Sequence, residues 1–398
     1  MDAKTDQTAR EADSRLLVIS ELFLPTKGGT AVWFDEVYRR IGGKELHIVT
    51  ADVPGATEYD ASHPNSVHRV ALRRYWWLRP ESLAMYLRLL GKGLGLAMHC
   101  RFEAVHAGRV LPEGLIGWLV AKAIRRPIVV YAHGEELTTW KQPMKHWVMS
   151  RVFRGSTRVV ANSEFTKQEL LRIGVRSDRI SLIHPGVDVE RFRPGLPAQE
   201  LRTQLQLAAD QRLILSVGRL SRRKGFDQVI RTLPGLQSRG LDVHYAIIGI
   251  GADEGYLKEL ADRSGVSSRV HLLGHVPMDD LPRWYNAADV FAMPNREIDG
   301  DTEGFGMVFL EAAACGVPAI AGRAGGTSAA VVDGVTGLLV DGTSEPAVES
   351  ALAKVLQDES FCAQIARQAR KRVLEELSWA HIAERTISLG LEARGHKE

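Results

Sequence analysis

The sequence predicts an α/β protein of two Rossmann-like domains, each a parallel sheet wrapped by helices. Three observations carry this. The 398 residues exceed one typical domain and suit two. Short apolar runs, each followed by a glycine-bearing or capping loop and a helical stretch, recur along the chain: RLLVIS, ELHIVTAD, PIVVYAHG, TRVVANSE. The same rhythm restarts at Arg212 with RLILSVG, after PGVD and RFRP. Residues 1–14 read as a disordered tail, 15–190 as the first domain and 191–378 as the second.

Composition narrows the function classes. Hydrophobic content of 45% and charged content of 25% are those of a globular protein. Lys+Arg of 51 against Asp+Glu of 48 leaves +3, which calls for no nucleic-acid partner. Cys100, Cys315 and Cys362 form neither a metal-binding spacing nor a disulfide framework, as expected in a reducing cytoplasm. The N-terminus is polar and lacks an apolar signal core, and no run of eighteen apolar residues occurs.

In chain order, Arg15–Ser20 is a buried-type strand. Pro25, Gly28 and Gly29 mark the loop after it, and Thr30 is the expected cap of a helix carrying Val32, Phe34 (or Trp33), Val37 and Ile41. Strand, glycine loop and helix make a phosphate-type turn. Glu45–Asp52 is the next strand. From Ser66 to Arg126 there are eleven Lys+Arg against three Asp+Glu, and Arg73, Arg74, Trp76 and Trp77 lie together. This group reads either as an interfacial anchor for an anionic membrane and its acceptor, or as buried tryptophans with ordinary surface arginines. His133 follows a strand at its carboxyl end, where open α/β sheets place ligands.

In the second half, Arg219 and Lys224 sit just beyond the strand RLILSVG, where a planar fork and a mobile ammonium suit phosphate. Gly249 and Gly251 suggest a dinucleotide fold, but the spacing to Gly255 is G-x-G-x-x-x-G and the next strand ends without an acid. Asp299-Gly300-Asp301 has the D-x-D form that holds divalent cations in some enzymes. It is read as a solvated loop, and no metal is assigned.

The chain is organised around EGFGMVFLEAAACGVP, Glu303 to Pro318, with two glutamates eight apart. Gly304 and Gly306 allow a tight turn. A helix expected from about Phe305 leaves amides near Gly306, Met307 and Val308 for a phosphate. Glu311 can then reach a hydroxyl beside that phosphate, such as a ribose, and Glu303 whatever the phosphate carries. A phosphate between two acceptor carboxylates suits a nucleotide-sugar.

The same stretch resembles the E-x7-E signature of retaining family-4 glycosyltransferases of the GT-B fold. AAACGVPAIAGRAGG extends the likeness, and VGRLSRRKGFD resembles the family's G-R-x5-K-G diphosphate motif. His133 matches H-G-x-E, GHVP around Val276 matches the nucleobase edge, Gly28-Gly29 the first domain's phosphate-facing loop, and PGVD with RFRP the interdomain crossing. The resemblance implies two domains facing across a cleft, with the helix 379–398 returning to the first. It further implies metal-independent sugar transfer with retention and without cofactor, Arg219 and Lys224 on the diphosphate, and His133 near the sugar. REIDGDTEGFGMVFLEA is most similar to bacterial α-mannosyltransferases, which implies GDP-mannose; UDP-glucose and UDP-N-acetylglucosamine are the alternatives. The acceptor implied is lipid-linked or a saccharide, in glycolipid or surface polysaccharide assembly, with the protein cytoplasmic or peripheral on the inner membrane face. A non-catalytic sugar-nucleotide-binding protein stays open. So does a phosphorylase or epimerase of the same fold, although no lysine stands out for pyridoxal phosphate.

Overall fold

The computed structural model describes residues 15–73 and 81–395. The expected tail 1–14, and Arg74, Trp76 and Trp77, lie outside the described residues. Arg73 is exposed. The chain divides into two compact units: residues up to 185 together with those from 379 onward, and residues 186–378. The division falls between Pro185 and Gly186, whereas the sequence reading set it after residue 190. Val187 and Phe192 are buried in the second unit's core, and the Val187 N–H donates to Leu377 O at 2.9 Å.

The first unit holds a parallel seven-stranded sheet, β1 Leu16–Ile19, β2 His47–Ala51, β3 Ser66–Val70, β4 Ala104–Ala107, β5 Ile128–Ala132, β6 Arg158–Ala161 and β7 Ile180–Leu182, in the order 3-2-1-4-5-6-7. The second holds β8 Arg212–Val217, β9 Val243–Ile248, β10 Val270–Gly274, β11 Val290–Met293, β12 Ala319–Gly322 and β13 Leu338–Val340, in the order 10-9-8-11-12-13. Both are doubly wound, so the strand order reverses between β1 and β4, and again between β8 and β11. Parallel sheets are covered on both faces, which is why LLVI and the VFAM of β11 are buried at every residue.

Crossover direction assigns the helices to faces. Helices Leu83–His99, Leu115–Ala123 and Pro143–Gly155 lead from β3 to β4, β5 and β6 in one direction across the sheet. Right-handed crossovers put them on one face, and helix Gly29–Ile41, which runs the other way from β1 to β2, on the opposite face. That helix begins earlier than expected. Gly28, not Thr30, is the N-cap, with its carbonyl accepting the Val32 N–H at 3.2 Å. Trp33 and Phe34 are both buried, with Val37, Tyr38 and Ile41. Helix Trp379–Gly395 packs on Gly29–Ile41 and buries Trp379, Ile382 and Leu389 in the first unit. Among the described residues no helix is long and apolar enough to cross a membrane.

Candidate active site

In the second unit the carboxyl ends of β8 and β11, either side of the reversal, each supply a loop. The β8 loop carries Arg219, Arg223 and Lys224, and the β11 loop carries Asp301 and Glu303. The two loops close on each other through charge. Lys224 Nζ and Arg223 Nη1 (3.1 Å) both reach Glu303 Oε2, and Arg223 Nε lies 3.1 Å from Asp301 Oδ2. Arg223 is only 8% exposed and Lys224 9%, so this is a desolvated network. Burial pushes the Glu303 carboxyl up, but Lys224 and then Arg223 outweigh it and hold it below the ordinary value. Glu303 is therefore an anion.

The loop leading to the helix explains its glycines. The helix runs Met307–Ala314, two residues later than expected, and Gly306 caps it with φ +91°. A Cβ at Gly306 would also meet the Phe309 ring at 2.6 Å, so the turn requires glycine. Gly325 (φ +61°) plays a second part. Its Cβ would fall 2.2 Å from Glu303 O, the carbonyl that accepts the Gly326 N–H at 2.7 Å. The backbone of Glu303 is thus gripped from one side while its carboxylate is gripped from the other. Phe305 is buried, and Gly304, Met307 and Val308 are half-buried beside it. The opening amides of the helix lie next to the Glu303–Lys224 pair in sequence and are a suitable phosphate cradle.

Glu311, one turn on, has a different environment. Its Oε2 accepts the Tyr285 hydroxyl at 2.7 Å; burial raises its pKa, with Tyr285 and then Arg191 offsetting part of the rise. Arg219 is exposed and has no hydrogen bond or ion pair with any described residue, leaving its guanidinium open to a ligand. Val276 is half-buried just after β10 and packs on the core. The reading of Asp299-Gly300-Asp301 as a solvated loop needs correction: Asp301 is the counter-ion of Arg223. Among the described residues no three His, Cys, Asp or Glu side chains are grouped to hold a metal ion.

In the first unit, Gly28 and Gly29 are exposed at the start of their helix. His133 follows β5, with Nε2 2.8 Å from Gly108 O and the Trp33 ring edge-on at 5.7 Å. A carbonyl only accepts, so Nε2 carries the proton and Nδ1 is left as an acceptor. Burial above all lowers the His133 pKa to about 4, keeping the ring neutral. Glu136 orients the turn by accepting the His133 N–H at 2.9 Å. The sequence reading above assigns no role to Arg223 or Tyr285. The first sits in a basic triplet in which no residue stands out, and the second reads like any core aromatic.

Two doubly wound parallel sheets, one in each unit, are the framework of glycosyltransferases of the GT-B type. The chain belongs to the family-4 glycosyltransferases: residues 27–191 match "Glycosyltransferase Family 4" and 197–372 match "Glycosyl transferases group 1". It is 32% identical, over 92% of its length and 95% of the relative's, to the GDP-mannose-dependent alpha-(1-6)-phosphatidylinositol monomannoside mannosyltransferase of Mycolicibacterium smegmatis. It is 30% identical, over 92% and 90%, to a D-inositol 3-phosphate glycosyltransferase of Thermobispora bispora. Among solved structures it is similar in fold to Anabaena Alr3699/HepE in complex with UDP and glucose (TM-score 0.79, 20% identity, 95% of this chain and 100% of that one).

Proposed function

We propose that the protein moves mannose from GDP-mannose to a hydroxyl of a phospholipid-linked acceptor, with retention of configuration and without a metal or other cofactor, at the cytoplasmic face of a membrane. The observation that carries the transferase reading is the buried cluster of Glu303, Lys224 and Arg223 beside the amides that open helix Met307–Ala314. The choice of donor and acceptor rests on the Mycolicibacterium relative. The Thermobispora relative supports a second reading in which the acceptor is a free inositol phosphate.

In this reading the diphosphate lies against Arg219, Lys224 and the helix amides, Glu311 takes ribose hydroxyls, Glu303 takes sugar hydroxyls, and backbone near Val276 meets the base. Gly28-Gly29 and His133 stay the first unit's candidate residues, on the motif resemblance alone. The bond from C1 to the β-phosphate oxygen breaks, the acceptor oxygen bonds C1 from the same face, and the acceptor proton passes to the leaving phosphate. Fixed donors aimed at that phosphate lower the barrier as its charge grows. Glu303, already held by two cations, is a hydroxyl acceptor and not a covalent nucleophile.

Thermal shift across nucleotide-sugars tests the donor, since a ligand at 100 times its Kd stabilises by about 2.7 kcal/mol. GDP-mannose should stabilise most, and transfer to phosphatidylinositol-type lipid should give an α-mannoside, in chelator as in buffer. Stronger stabilisation by UDP-glucose or UDP-N-acetylglucosamine would overturn the donor, and a β-product the retention. Loss of activity in chelator with rescue by magnesium or manganese would overturn metal independence and point to Asp299 and Asp301.

A further inference from the structure

The tripeptide Pro294-Asn295-Arg296, which leaves the end of β11 and leads toward Glu303, is fastened on both sides of that glutamate. Arg296 turns to the β8 loop. Its backbone N–H donates to Arg223 O at 2.8 Å, and its Nη2 donates to Asp227 Oδ2, also at 2.8 Å. Asp227 is 4% exposed and the Arg296 side chain 12%. Asp227 lies in the first turn of helix Phe226–Ser238, directly after the turn Arg222–Lys224 that carries both cations of the site. Between them the Pro294 carbonyl closes on Gly225, where a Cβ would stand 2.0 Å from it. Asn295 turns the other way. It is fully buried, its Oδ1 accepts the Gly322 N–H at 3.1 Å, and its Nδ2 donates to Ala324 O at 3.2 Å. Ala324 immediately precedes the Gly325-Gly326 turn that holds the Glu303 carbonyl.

A buried ion pair such as Arg296–Asp227 is a poor way to gain stability, because desolvation offsets most of its attraction. Apolar side chains would hold the two loops together as firmly. What the ion pair adds is register, since only one placement of the β11 loop on the β8 loop satisfies both charges. Register matters here because the two cations differ in reach. Lys224 has a single ammonium group, which contacts Glu303 in this structure and is also the proposed ligand of the diphosphate. Arg223 spans Glu303 and Asp301 with one planar fork. Once the donor engages Lys224, Arg223 is the cation left on Glu303, provided the loops do not slide.

We infer that Arg296 and Asp227 are positioning residues for the transfer reaction: they lock the β11 loop on the β8 loop and so hold Arg223 against Glu303 while Lys224 serves the donor. The inference deepens the proposed function and rests on it for the roles of Glu303 and Lys224. It assigns neither residue a contact with substrate.

Arg296→Gln, Arg296→Lys and Asp227→Asn are made in the full chain, and a melting curve checks the fold of each. Arg296→Gln should lower kcat about ten-fold, the lower end of the cost of one charge-assisted contact, with GDP binding near that of the wild type. The acid limb of its kcat profile should move to higher pH, because burial raises the Glu303 pKa once Arg223 no longer opposes it. Asp227→Asn keeps an acceptor for Arg296 but loses the charge, and should move the limb the same way by less. Arg296→Lys restores the pair and should recover both rate and limb. Hydrogen exchange read by mass spectrometry should rise in segments 219–227 and 294–303 of Arg296→Gln and Asp227→Asn, and nowhere else in the second unit. Where Arg296→Gln loses its melting transition, Asp227→Asn decides by the same two readings. Unchanged exchange in both segments would overturn the inference. So would a rate that falls with the acid limb in place, which is the mark of a merely structural loss. Looser loops with rate and limb unmoved refute the inference alone, whereas a wild type that transfers no sugar refutes the function and the inference with it.

Discussion

Glu303 and Glu311 come from one stretch of chain, and their surroundings act on them in opposite ways. Two buried cations keep Glu303 ionised, while burial raises the pKa of Glu311 with a phenol as its partner. Arg223 ties the first arrangement together, since its guanidinium spans Glu303 and Asp301. Removing one charge-assisted contact costs about 1.5–3 kcal/mol, about ten- to a hundred-fold in rate. Glu303→Gln should therefore depress turnover by that factor and leave nucleoside diphosphate binding nearly intact. Glu311→Gln should weaken that binding instead, and Arg223→Gln should follow Glu303→Gln because it frees the same carboxylate. Calorimetry with GDP, run beside initial rates, separates the three. Equal weakening of GDP binding in all of them would contradict the division of roles.

Among the elements, the C-terminal helix and the first sheet share a buried polar chain. Tyr38 Oη lies 2.7 Å from His106 Nδ1 and donates to Tyr131 Oη at 3.2 Å, and Tyr131 is hydrogen-bonded to Thr386. With Tyr38 donating onward, His106 Nδ1–H is the donor to its oxygen. His106 is fully buried, and burial lowers its pKa from 6.5 to about 4. Unfolded, it protonates near 6.5; folded, only near 4. Between those values the unfolded chain binds more protons, so stability falls as pH falls through this window and is regained as pH rises. The loss from this one residue approaches about 3 kcal/mol at the acid end. Melting curves from pH 7 to pH 4 should show a shallower decline for His106→Gln than for the wild type, whatever its stability at pH 7. Parallel declines would mean that His106 does not carry the effect.

For the whole molecule, chain order and folding unit do not coincide. The chain enters the second unit at Gly186 and returns to the first at Trp379. Ending it at Ser378 would strip Trp379, Ile382, Thr386 and Leu389 from the first unit, each 4% exposed or less. Losing several buried side chains at 2–5 kcal/mol apiece exceeds the usual stability of a domain. The first unit should then lose its cooperative melting transition, while the second, with its own core and the Glu303–Lys224 site, should keep its transition and its binding of GDP. Calorimetric scans with and without GDP check this. Loss of both transitions would show that the second unit depends on the last helix.

What the sequence determined by itself is whatever local pattern encodes. Apolar runs with turn residues behind them specify the strands of parallel sheets, as LLVI and VFAM do. A glycine-bearing turn before an apolar helix is legible in the same way, and Lys224, Glu303 and Glu311 could be named as candidates from spacing and motif likeness alone. Tertiary structure decided what depends on partners distant in sequence. Arg223 and Arg222 are adjacent and chemically alike, yet Arg223 is buried between Glu303 and Asp301, while Arg222 lies over the Tyr256 ring. Tyr285 gains a role only because its hydroxyl meets Glu311, 26 residues on. Helix starts moved as well, earlier at Gly29 and later at Met307, because caps answer to the carbonyls and rings that surround the turn. Local pattern is read along the chain, but charge pairing and burial are settled across it, where desolvation makes each contact costly to leave unmade.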